Sequence, residues 1–198
     1  MKQYLDSQFS HPRGIVGWLA GQVMAYENRE RITWAIEQLD IQPDDFLLEI
    51  GVGPGLGIER AAGKAYNGLA AGIDLSETMI GQARRRNARG IGEGHIELRQ
   101  ADVSNLPYEE NSFDKVFAIN SLHHWPDPAS GLRECRRVLK AGGLVAIIEQ
   151  PHGVQSEAAI RRRGDELVRQ LLPAGFLEAT GIGENLQRGP VVFVTGVK

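Results

Sequence analysis

Apolar residues fall in short runs that recur along the chain at steady spacing. The runs are FLLEI at 46–50, LAAGID at 69–74, IELRQAD at 96–102, KVFAIN at 115–120 and LVAIIE at 144–149. Each has the length of a strand. Most are apolar nearly throughout instead of alternating, the pattern of strands covered on both faces. Between them the period changes. Residues 76–89, SETMIGQARRRNAR, bring Met79, Ile80 and Ala83 onto one helical face, with Ser76 placed as N-cap and Glu77 in the first turn. Residues 127–143 space Leu132, Cys135, Val138 and Leu139 helically; Pro128 suits the first turn, and Gly142–Gly143 mark the expected end. Strand–helix alternation at this period predicts an α/β domain, a parallel sheet with helices on both faces.

Two segments stand outside the alternation. Residues 12–40 carry Val16, Leu19, Val23, Ile32, Ile36 and Leu39 at helical spacing, which predicts two helices or one broken helix ahead of the sheet. FLEATGIGE (176–184) and VVFVTGVK (191–198) flank a turn at QRGP (187–190). A hairpin is antiparallel, so the sheet is expected to finish with an antiparallel strand. With no internal repeat or long linker, residues 1–198 read as one domain, with 1–40 as a helical lid segment within it.

Composition narrows the partners. The chain has 198 residues, 42% hydrophobic and 24% charged, enough for a sizeable core. A net charge of −3 argues against the basic field that nucleic-acid backbones require. The single cysteine, Cys135, allows no disulfide framework and no cysteine-rich zinc site, so no metal is expected. MKQYLDSQFS lacks the apolar core of a signal peptide, and no run approaches a membrane span. A cytoplasmic protein with no integral membrane segment is the expectation.

The chemistry begins at LLEIGVGPGLG, 47–57, where Gly51, Gly53, Gly55 and Gly57 follow the first strand. In an open parallel sheet, ligands bind beyond the carboxyl ends of the strands. A triphosphate loop needs G-x-x-x-x-G-K-[S/T], and no register supplies the second glycine and lysine. A nicotinamide fingerprint needs G-x-G-x-x-G/A, but Leu56 stands at the third position from Gly51 and Ile58 from Gly53. Against that near miss, the third competing ligand is S-adenosylmethionine, which has no phosphate. Glu49, just before the loop, suits its ammonium and would repel a pyrophosphate. Asp74, ending the second strand, can accept both ribose hydroxyls. Asp102, ending the third, is placed to accept from an adenine amino group, with Leu75 and Val103 packing on the ring. Any one of these acids alone suits a cap or a turn; three in register with a glycine loop point to a ligand.

These motifs resemble those of class I S-adenosylmethionine-dependent methyltransferases, in particular the small bacterial type similar to the ubiquinone/menaquinone biosynthesis methyltransferases. LLEIGVGPGLG is similar to the family's first motif and GIDLSETMI to its second-strand acidic motif. QADVSNLPYEENSFDKVFAINSLHHW and ECRRVLKAGGLVAIIE are similar to its later strand motifs. The resemblance covers roughly residues 30–150. It implies a doubly wound Rossmann-like sheet of seven strands, mostly parallel with an antiparallel last strand, and S-adenosyl-L-methionine as cofactor. It places Asn120 and Ser121 near the cofactor's methionine end, beside Gly51, Gly53 and Gly55, and adds Met79 to the cofactor-binding set.

Methyl transfer from a sulfonium is an in-line displacement with a neutral leaving group, so orientation outweighs nucleophile activation. No catalytic triad is expected, and none is visible. His123, His124 and Trp125 follow on the loop toward the acceptor. They read either as acceptor-binding groups or as loop and core packing. Glu149, Gln150 and His152 are expected on the acceptor side as well. The lid segment carries Trp18, Tyr26 and Trp34, with His11 before it. The chain leaves no room for a recognition domain, which favours a small-molecule or lipophilic acceptor. The Arg84–Arg86 and Arg161–Arg163 runs, with Asp or Glu nearby, read as solvated helix surface; they keep an RNA methyltransferase as an alternative, and a non-catalytic S-adenosylmethionine-binding protein is another.

Overall fold

The computed structural model describes residues 28–151 and 156–198. The expected helices within 12–27, together with His11, Trp18, Tyr26 and His152, lie outside the described residues. The elements run in the order α1 (Arg29–Gln38), β1 (Phe46–Ile50), α2 (Leu56–Lys64), β2 (Leu69–Asp74), α3 (Glu77–Arg86) and the short α4 (Ala88–Gly92). Then come β3 (Ile96–Gln100), β4 (Phe113–Ile119), α5 (Pro128–Val138), β5 (Leu139–Glu149), α6 (Glu157–Leu171), β6 (Leu177–Leu186) and β7 (Gly189–Val197).

The seven strands form one sheet in the order β3-β2-β1-β4-β5-β7-β6. β1 pairs in parallel with β2 and β4, and β7 runs antiparallel between β5 and β6. Alternate side chains of each strand enter opposite layers. Leu47, Ala70, Leu98, Phe117 and Ile148 pack against Ile32 and Ile36 of α1, Ile58 and Ala61 of α2, and Ile80 and Ala83 of α3. Leu48, Ile73, Val116 and Ile147 pack against Leu132, Cys135 and Val138 of α5 and Ile160, Leu167 and Leu171 of α6. This is why the strand sequences are largely apolar: Leu47 to Ile50 of β1 and Val116 to Ile119 of β4 each face one of two buried layers.

Capping sets the helix starts. Ser76 Oγ accepts from Met79 N–H, Asp127 from Ser130 N–H and Ser156 from Ala159 N–H. One helix end differs from the sequence expectation. α5 stops at Val138, and Leu139 already pairs with Phe113. The next pair in register is Lys115 with Leu144, so the intervening residues form a bulge, with Gly142 at φ +76°. Gly142 and Gly143 therefore turn a strand, while the helix ends on Leu139 in extended geometry. The two sheet arms meet at β1 and β4, the reversal point at which a doubly wound sheet opens a crevice.

Candidate active site

A cavity of about 640 Å³ opens at that reversal point. Its floor is the end of β1 and the glycine loop, contributing Glu49, Gly51 and Gly53. Its sides are Asp74, Leu75 and Met79 after β2 and Asp102 and Val103 after β3. Asn120, Ser121, His124 and Trp125 after β4 complete it, with Asn28 and Ile32 at the start of α1.

Glu49 lies in the same strand-face register as Leu47, so it points under the N-terminus of α2. It is 3% exposed, and its Oε2 is buried with no partner. Burial, and then the charge of Asp74, pushes its carboxyl well above the usual range; the Ile58 N–H works in the opposite direction. Gly57 makes room for it: a Cβ there would fall inside contact distance of the Glu49 carboxylate. Gly57 is thus a site determinant absent from the residue set read off the sequence, and its signal was the fourth glycine of the loop.

Asp74 is held at both oxygens. Gly53 N–H donates to Oδ2 at 2.9 Å and Ser76 N–H to Oδ1 at 2.8 Å. Burial raises its pKa, and those two donors oppose the rise. Asp102 Oδ1 accepts from Ser104 N–H at 2.8 Å, which turns the chain after β3. Val103 and Met79 are buried, whereas Leu75 is 53% exposed at the cavity edge. Ser121 donates to Ile50 O at 2.7 Å and accepts from the Trp125 indole N–H at 3.4 Å. Trp125 is buried, so this ring is both core and cavity wall.

Four expected positions sit elsewhere; the first, Gln150, donates through its side-chain NH₂ to Arg188 O at 3.4 Å, off the cavity wall. Gly55 is not on the cavity wall; it has φ +85°, and a Cβ there would meet Asn87 Nδ2 at 2.6 Å and Ala83 Cα at 2.8 Å. It seats α2 on α3. His123 is exposed and off the wall, with its ring 4.0 Å from that of His124. Glu149 shares strand parity with Ile147 and faces α6, where Arg163 donates to its Oε2 at 2.7 Å. Of the arginine runs, Arg86 donates to Pro54 O at 3.0 Å and pairs with Glu59, and Arg163 pairs with Glu149 and Glu166.

A family model for a methyltransferase domain matches residues 48–147. The chain belongs to the methyltransferase domain family. Among relatives of this methyltransferase, the uncharacterized methyltransferase YdaC of Bacillus subtilis (strain 168) is 32% identical over 159 residues, covering 80% of this chain and 86% of YdaC. Demethylmenaquinone methyltransferase of Desulfitobacterium hafniense (strain Y51) is 34% identical over 116 residues, covering 58% of this chain and 46% of that protein. The 27-O-demethylrifamycin SV methyltransferase of Amycolatopsis mediterranei (strain S699) is 34% identical over 125 residues, covering 61% and 46%. The chain thus spans about half the length of the last two. In fold, the methyltransferase superposes on a SAM-dependent methyltransferase from Aquifex aeolicus with a TM-score of 0.70, at 18% identity, covering 84% of this chain and 88% of that one.

The cofactor of the family is S-adenosylmethionine, and the residues present fit it. The orphaned Glu49 oxygen suits an ammonium, and three acids ring the cavity. The described lining residues include Glu49, Asp74 and Asp102 and no lysine or arginine, a charge balance that favours an ammonium over a pyrophosphate. No helix among the described residues is long and apolar enough to cross a membrane.

Proposed function

We propose that this methyltransferase acts on a small or lipophilic acceptor that enters between α1 and the loop following β4. The observation that carries the reading is a single continuous cavity. It runs from Asp102 and Val103, past Glu49, to Asn28, Ile32 and His124. S-adenosylmethionine supplies a methyl group on a sulfonium whose leaving group is neutral. The protein's part is to orient the reactants and keep water out.

In this reading Glu49 Oε2 accepts from the cofactor's ammonium, the partner it otherwise lacks. Asp74, fixed by Gly53 and Ser76 N–H groups, accepts from the ribose hydroxyls. Asp102 accepts from the adenine amino group, with Leu75, Val103 and Met79 against the ring. Gly51 and Gly53 allow the methionine portion to approach the backbone, with Asn120 and Ser121 opposite. Trp125 and Ile32 supply apolar walls that exclude water, and His124 orients the acceptor at the rim, with His123 packed on its ring. In this reading α1 belongs to the lid of a single domain; residues 1–27 of the lid segment lie outside the described residues. The relatives named for demethylmenaquinone and 27-O-demethylrifamycin SV support a small-molecule acceptor. A general base is required only where the acceptor must lose a proton.

The test is production of S-adenosylhomocysteine with a panel of phenols, quinols, amines and an RNA fraction. Turnover with one small-molecule class is expected. Turnover with the RNA fraction alone would replace the acceptor assignment. Cofactor binding without turnover on any acceptor would point to a non-catalytic binding protein.

A further inference from the structure

Asn28 occupies the N-cap position of α1, where an asparagine normally turns its side-chain oxygen onto the helix N–H groups. It makes no such bond. Its Oδ1 instead accepts from the Arg31 guanidinium and from Asn120 Nδ2 at 3.3 Å. Arg31 is 3% exposed, and its Nε has no partner, so the Asn28 oxygen serves a buried cation.

Asn120 stands just beyond β4 with φ +52°, a conformation that asparagine tolerates better than other side-chain-bearing residues. Its own N–H donates to Ile148 O at 2.8 Å, which carries the ladder with β5 one step past the end of β4. Its Oδ1 accepts from Gln150 N–H at 2.8 Å.

The orientation of both carboxamides follows from the ends of this chain of bonds. A guanidinium only donates, so Asn28 must present oxygen to it. That oxygen also faces Asn120, which must present its NH₂ group. The other side of Asn120 is then oxygen, and there it meets a backbone N–H that can only donate. Obligate donors at both ends leave no alternative flip. Only a carboxamide at position 120 completes the chain; a carboxylate would set oxygen against oxygen at Asn28.

We propose that Asn120 is a positioning residue for methyl transfer. Its carboxamide latches the start of α1 onto the exits of β4 and β5, and so fixes the cavity wall that contains Asn28 and Ile32. What that wall confines rests on the methyltransferase reading; the latch itself rests on the bonds.

The experiment is hydrogen exchange across α1 (Arg29–Gln38) in the full chain, comparing Asn28→Asp with Asn120→Asp. The chemical change is the same, but opposite effects are expected. Asn28→Asp gives Arg31 and Asn120 a charged acceptor and slows exchange in α1 several-fold. Asn120→Asp breaks the link and speeds it by roughly tenfold, the factor for one ordinary hydrogen bond. A generic packing role would make both variants faster; that result, or no change in either, overturns the proposal. If Asn120→Asp does not fold, Asn120→Ser takes its place: faster exchange in α1 supports the latch, and unchanged or slower exchange overturns it. In a second arm, saturating S-adenosylhomocysteine is expected to slow α1 exchange more in the wild type than in Asn120→Asp. Equal slowing in both overturns the assignment of the latch to the ligand-facing wall. Failure of the wild type to bind S-adenosylhomocysteine by calorimetry removes the methyltransferase reading and leaves the latch comparison intact.

Discussion

Glu49 and Gly57 act as a pair, because the carboxylate occupies the volume a side chain at position 57 would take. Gly57→Ala forces the carboxylate to move. It is expected to weaken S-adenosylhomocysteine binding by roughly ten- to a hundredfold, the range that overpacking by one methyl produces; calorimetric titration measures it. Glu49 also links the site to pH. Its folded-state pKa lies well above the ordinary carboxyl value, chiefly through burial. Between those two values the folded protein holds a proton that the unfolded chain has released. Stability therefore falls as pH rises through that window and stays lower above it. Glu49→Gln removes the ionisation, so its melting temperature should exceed that of the wild type more at pH 8 than at pH 5. Each kcal/mol relieved corresponds to roughly 2–4 °C in a chain of this size. The same variant should lose cofactor affinity, since an amide gives an ammonium no counter-charge. A variant that melts like the wild type at both pH values would show that Glu49 is not held neutral by burial.

Among the elements, β5 and α6 show where sequence reasoning stops. LVAIIE reads as a strand, and strand parity puts Glu149 on the same side as Val145 and Ile147. Its position at a strand end nonetheless points to the acceptor side, because nothing local in the sequence says that α6 covers that face. Arg163, in a run that reads as solvated helix surface, is the partner. The Glu149 side chain is 7% exposed and that of Arg163 is 29% exposed. Arg163→Ala strands a buried carboxylate and is expected to cost roughly 3 kcal/mol in denaturant unfolding, at the low end for a buried pair because Arg163 is partly solvated. Glu149→Gln combined with Arg163→Met should cost clearly less. Equal losses in the single and double variants would mean that packing, not the uncompensated charge, sets the effect. The end of α5 was illegible for a related reason. Helical spacing carried through Leu139, while the pairing of Leu139 with Phe113, distant in sequence, claimed that residue for the sheet.

For the whole molecule, the cavity joins four strand ends, the glycine loop and α1, so a ligand there ties together segments from Asn28 to Trp125. A ligand that binds only the folded state stabilises it by mass action, about 2.7 kcal/mol at a hundred times its dissociation constant. S-adenosylhomocysteine at that ratio should raise the melting temperature by several degrees, and NADH at equal concentration should not. A shift with NADH alone would sink the cofactor assignment. The sequence by itself determined the strand–helix order, the apolar runs of a doubly covered sheet, the antiparallel hairpin, and the glycine loop with Glu49, Asp74 and Asp102. All of these depend on local periodicity or on residue types at element ends. The tertiary structure decided which positions converge. It set Gly57 against the Glu49 carboxylate, moved Gly55 into helix packing and His123 off the wall, and turned Glu149 toward Arg163. It also joined Asn28 to Asn120 across 92 residues of chain. Apart from the Glu49–Gly57 contact within the loop motif, those outcomes rest on contacts between different elements, and the local pattern of neither partner carries a record of the other.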